Sequence, residues 1–208
     1  MRISKYQLAE SGKKYYRFFF KKQPIAHSYW TPMIENDIVY NSNSSEYEGI
    51  FFAEESDVMK WFDKGDTLTE VVFDKNHPSF PSLPEYYFCE SGKYCGRAII
   101  CGNFISLNSN DMIEFIKKHA CANKSTLRTI QQHLVLIRAF NTLRELWEYQ
   151  YNLFGEDNRE SNEKEAMILL TTYHIHYENL DYDKILRCKT FKELVELFSE
   201  DKWKFYCK

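Results

Sequence analysis

Apolar residues in this chain follow two different patterns. As far as about residue 122 they form short runs separated by turn residues, whereas beyond Ser125 they recur at steps of three and four. The short runs predict strands at Lys13–Gln23, at Ile50–Ala53, at Leu68–Phe73, at EYYFC and at Gly96–Gly102. Residues 24–48 read as an irregular connection containing a short DIVY segment, and His77–Pro84, with its prolines at 78, 81 and 84, excludes a regular element. Between the second and third strands, Ser56 suits an N-cap, Val58, Trp61 and Phe62 fall on one helical face, and Gly65 suits the stop.

Asp111 and Glu114 form a capping-box pattern ahead of DMIEFIKKHA, which ends near Asn123. From Ser125 the positions Leu127, Ile130, Leu134, Ile137, Leu143, Leu146, Trp147 and Phe154 predict one long helix stopped by Gly155, about 45 Å at 1.5 Å per residue. A second helix is expected over roughly 162–178, and Thr190 with Glu193 opens a third at FKELVELF. The fold class is therefore α+β. Residues 1–123 form a small mixed, twisted sheet of about four to six strands with packed helices, and residues 124–208 an α-helical domain.

Composition narrows the function classes. An aromatic share of 17% within a hydrophobic fraction of 44% is too much apolar material for a disordered chain of 208 residues. The net charge of −3 carries no electrostatic footprint for nucleic acid or anionic lipid, so nucleic acid is an unlikely partner. No apolar run reaches the roughly 18 to 20 residues that span a bilayer, and the charged amino terminus lacks the apolar core of a signal peptide. An intracellular protein with no membrane partner is expected. The six cysteines form no C-x-x-C pair and read as reduced thiols, and His174 and His176 diverge on a helix, so no metal site is assigned.

Three groups of residues are candidates for chemistry or binding. Nucleotide-binding glycine loops and the common hydrolase motifs are absent from the sequence. His27, in the loop after the first strand beside Tyr29 and Trp30, has the neighbours of a small-molecule pocket, and equally those of a packed or solvated loop. Glu70, entering the strand after a strand–helix unit, could project into a cleft and bind a ribose hydroxyl or a developing cation; the alternative is the solvated face of an edge strand, paired with Lys60 or Lys64. At the far end of the long helix, Trp147, Tyr151 and Phe154 enlarge the apolar stripe, which points to a protein partner or self-association, or to closure by the helices that follow.

The order of segments resembles the amino-terminal domain of giant-virus (mimivirus-type) proteins that often carry ankyrin repeats behind it. The positions that carry the resemblance are Tyr15, Tyr16, Gly49, Phe51, Phe52, Trp61, Phe62, Glu70, Val71, Ile99, Ile100 and Gly102, within residues 13–122. Arg97-Ala98 replaces the acidic–basic pair of that family, and the tail is not ankyrin-like, so repeat-based partner binding does not transfer. The resemblance implies a non-enzymatic viral accessory or protein-interaction module of the host cytoplasm, without a cofactor, or a structural virion component. A second similarity, to ADP-ribosyltransferase-like domains, implies an enzyme that uses NAD. In that reading Glu70 is the catalytic glutamate, Arg17 the first-strand cation, and Phe51 and Phe52 flank the nicotinamide.

Overall fold

The computed structural model describes residues 1–20, 33–35, 38–40, 49–89, 92–120, 123–155, 158–177 and 187–199. It divides into two compact units, Met1–Ser106 and Leu107–Tyr206. The fold is α+β.

The first unit is a sheet of nine strands: β1 (Arg2–Ile3), β2 (Tyr15–Phe19), β3 (Met33–Glu35), β4 (Ile38–Tyr40), β5 (Ile50–Glu54), β6 (Thr67–Val72), β7 (Tyr86–Cys89), β8 (Lys93–Gly96) and β9 (Ala98–Ser106). Their order is β1-β7-β8-β5-β2-β6-β9-β4-β3, and every neighbouring pair is antiparallel. The sheet is thus larger than the four to six strands expected, and antiparallel where mixed pairing was expected. Parallel neighbours need a long crossover, usually a helix. Between β2 and β9 the described helical pieces are only two 3₁₀ segments, Val58–Lys64 and Phe80–Ser82. The connection expected to be irregular contains the paired strands β3 and β4, the latter within DIVY.

An aromatic cluster fills the middle of this unit. Tyr15, Phe52, Tyr86 and Tyr94 are buried together with Leu8 of α1 (Lys5–Glu10), and Phe73 packs against them. The Phe52 and Tyr94 rings stack at 5.3 Å, and Tyr15 meets Phe52, Phe73 and Tyr94 edge-on. Such pairs add about 0.5–1.5 kcal/mol each to the burial of their area. Their polar tips are satisfied: the Tyr94 hydroxyl donates to Glu54 Oε1 at 2.7 Å, and Lys13 Nζ donates to the same oxygen at 2.8 Å.

The segment expected as an α-helix after β5 is 3₁₀, with non-helical backbone at Trp61. It buries Val58, Met59 and Phe62, the last against Phe18 of β2 at 5.1 Å. Gly65 ends it in extended backbone, close against Phe19, where a Cβ would stand 2.3 Å from the backbone nitrogen.

The second unit contains α2 (Asn110–His119), α3 (Lys124–Leu136), α4 (Phe140–Phe154), α5 (Arg159–Tyr177) and α6 (Phe191–Ser199). Its boundary lies ahead of α2, which the sequence pattern grouped with the sheet. Asn141 N donates to Asn108 Oδ1 at 3.0 Å and Thr142 Oγ1 to the Ser109 carbonyl at 3.3 Å, tying the start of α2 to α4. The caps are also displaced from the expected positions: Ser109 caps α2 and Asn123 caps α3.

The single long helix expected from Ser125 to Phe154 is two helices. Residues 137–139 break it, with Arg138 at φ +61° in the left-handed region. The break lets α4 turn back, so that Leu127, Ile130 and Leu134 of α3, Leu143 and Leu146 of α4 and Leu170 of α5 are all buried. Gly155 ends α4 with φ +66°, a conformation that glycine adopts without a Cβ penalty. No helix among the described residues is long and apolar enough to cross a membrane.

Candidate functional site

In the first unit the register separates the residues that the transferase resemblance would bring together. Tyr16 pairs with Glu70 and Arg17 with Thr69 across β2 and β6. Successive residues of a strand face opposite sides, so Arg17 and Glu70 lie on opposite faces of the sheet. The same alternation parts Phe51 from Phe52: Phe51 is 38% exposed, whereas Phe52 is buried in the aromatic cluster. His27 lies outside the described residues.

Glu70 does not sit on an edge strand, since β6 is flanked by β2 and β9. Lys60 and Lys64, its expected partners, bond instead to Asp57 at 2.5 Å and Asp63 at 2.7 Å. Opposite Glu70 the β6–β9 register shifts, and a Cβ on Gly102 would stand 3.3 Å from the Glu70 Cβ, so glycine there leaves room for the carboxylate stem. Burial, helped by the Glu55 and Glu70 carboxylates, pushes the Tyr16 hydroxyl up to about 12. On the other face, burial pulls the Arg17 guanidinium down to about 10, and its Nη1 is enclosed without a hydrogen-bond partner. It is still a cation at neutral pH.

The second unit brings together residues that lie far apart in the sequence. A cavity of about 350 Å³ opens between α3, α4 and α5. From α3 come Lys124, Arg128 and Gln131, at the i, i+4, i+7 spacing that forms one stripe. From α4 come Trp147, Gln150, Tyr151 and Phe154, again one stripe. The third wall is the start of α5, with Asn158, Arg159, Ser161, Asn162 and, a turn further, Glu165.

The charges in these walls are held in place. Arg128 Nη2 and Gln132 Nε2 both donate to Glu165 Oε1 at 3.1 Å, and Lys124 Nζ lies 4.7 Å above the Phe154 ring. Trp147 packs on Phe191 of α6 at 5.3 Å and is only 8% exposed, so the centre of the stripe is closed within the chain. Tyr151, by contrast, is 50% exposed. Gln131 is 4% exposed, and its carboxamide has no hydrogen-bond partner among the described residues. Its polar atoms are not among those fully enclosed without a partner, so they are open to the cavity and available to an incoming group.

Of the residues singled out in the sequence, Trp147, Tyr151 and Phe154 therefore meet in one site. Gln131 and the cations of α3 and α5 were missed. The i, i+4, i+7 spacing of Lys124, Arg128 and Gln131 was visible, but nothing in the sequence marks where three separate helices converge. The site has the size and mixed lining of a small recognition cleft. Among the described residues no group of three or more His, Cys, Asp or Glu is placed to hold a metal ion. Comparison with known proteins finds no matching family model, no matching curated protein and no matching solved structure.

Proposed function

We propose that the protein is a non-enzymatic interaction module and that the α3–α4–α5 cleft receives a segment of a partner protein. The observation that carries this reading is Gln131, a largely buried side chain with no hydrogen bond among the described residues, in the wall of a cleft whose opposite wall holds the exposed ring of Tyr151. A main-chain amide of a bound segment would satisfy both ends of the Gln131 carboxamide, while Tyr151 and Phe154 would cover an apolar side chain. The resemblance of residues 13–122 to giant-virus domains supports an accessory role for the module. The separation of Arg17 from Glu70 weighs against the transferase reading, because a catalytic pair must reach one substrate.

Selection of a peptide-display library on the full chain tests the proposal. Recovered peptides are expected to lose binding in both Tyr151→Ser and Gln131→Leu, with the circular dichroism of the fold retained. A selection whose peptides all ignore both substitutions would sink it. Incubation with labelled NAD addresses the enzyme reading: no transfer or hydrolysis is expected, and an activity lost in Glu70→Gln would overturn the preference for a non-enzymatic role.

A further inference from the structure

We infer that the segment taken by this cleft is acidic, with a carboxylate side chain seated at the first turn of α5 and its main chain on Gln131. This rests on the cleft being a protein-recognition site and adds the chemistry of the occupant. α5 runs for 19 residues, and Asn162 N bonds back to the Asn158 carbonyl, which fixes the start of the helix at the cavity wall. The first N–H groups of a helix have no acceptor within it and form the positive end of its dipole. Arg159 stands in that turn, and Lys124 and Arg128 face the same space from α3. Each of these cations already engages a neighbour in the chain, so the wall offers charge fixed in position rather than on loose side chains.

An electropositive helix start alone would not identify a ligand. The independent observation is Gln131, more than nine-tenths buried, lining the same cavity with donor and acceptor unpaired. A peptide bond offers the matching acceptor and donor side by side. A carboxylate fits the anionic position better than a phosphate because Glu165 is part of the same lining, where a dianion would meet stronger repulsion. The wall already holds one carboxylate, Glu165 itself, through Arg128 and Gln132.

The test uses the full chain and a fluorescein-labelled five-residue peptide of alternating Glu and Phe, followed by anisotropy. Binding is expected, with a loss of about tenfold in Arg159→Glu and a similar loss in Gln131→Leu, and with marked weakening between low and high salt. Arg159→Gln serves where charge reversal unfolds the chain. The same peptide with Gln or Lys in place of Glu is expected not to bind. If the uncharged or basic peptide binds, and does so through Gln131 and Tyr151 but independently of Arg159, the acidic occupant is wrong and the recognition cleft stands. If a labelled nucleoside monophosphate binds in place of any peptide, or if neither probe binds, both readings fall.

Discussion

The hydroxyl of Tyr86 donates to the carbonyl of Ala98 at 2.8 Å in a fully buried position. Tyr86 is on β7 and Ala98 on β9, and four strands lie between these two in the sheet order. The sheet must therefore curl far enough for β7 and β9 to face each other across the aromatic core. Tyr86→Phe keeps the ring and removes the bond, leaving an acceptor in a dry place. It should lower stability by about 1 kcal/mol, read as a reduced urea midpoint with an unchanged slope.

Two glycines should respond oppositely to what their backbone angles suggest. Gly12 has φ +68° with open space around it, so Gly12→Ala meets only left-handed strain, about 1 kcal/mol. Gly65 has unstrained extended backbone, yet a Cβ there would lie 2.3–2.5 Å from the Phe19 backbone. Backbone cannot swing aside as a side-chain tip can, and Gly65→Ala should cost about 3 kcal/mol or more. Thermal melts of the two variants compare them directly, and a Gly65→Ala protein no less stable than Gly12→Ala would contradict the packing described for β2.

Arg17 gives up hydration without gaining a partner for Nη1. Replacing such a cation with an apolar chain of similar length removes the desolvation cost, so Arg17→Met should be neutral or stabilising by about 1 kcal/mol. A loss of several kcal/mol in denaturant would mean that the guanidinium holds the sheet together.

The sequence made the strong strands legible, since β2, β5, β6 and β9 coincide with the short apolar-rich runs. It hid β1, β3 and β4 because two or three residues are too few to display a period. The error at Glu70 has a related cause: periodicity locates a strand but does not reveal its neighbours, and only pairing shows that β6 is central. The helix break at residues 137–139 was hidden because LIRAF contains neither Gly nor Pro, and the left-handed residue there is an arginine. The helix α1 was not expected either, although Ser4 and Gln7 form a capping box there with both reciprocal bonds. The cleft was half legible, its aromatic wall being one continuous stripe while its polar walls come from other helices.

Alkaline pH should destabilise the fold through its buried tyrosines. Burial raises the hydroxyl of Tyr86 well above its ordinary value, so the folded protein keeps that proton after the unfolded chain, with a tyrosine near 10, has released it. The sign follows from proton counting. Below about pH 10 both states are protonated and the contribution is fully present; above it the unfolded state binds fewer protons, and stability falls as pH rises toward the folded value. For one tyrosine the slope is about 1.4 kcal/mol per pH unit. Tyr16 and Tyr94 shift in the same direction, both first through burial, and steepen the fall. Tyr86→Phe isolates one proton: the variant starts about 1 kcal/mol less stable at neutral pH but lacks this alkaline loss. The two stability curves should converge above pH 10 and cross at about pH 11. Denaturation midpoints measured at half-unit steps from pH 8 to about 11.5 would show it, and a gap between the proteins that stays constant across that range would mean that Tyr86 ionises as readily in the folded state as in the unfolded one.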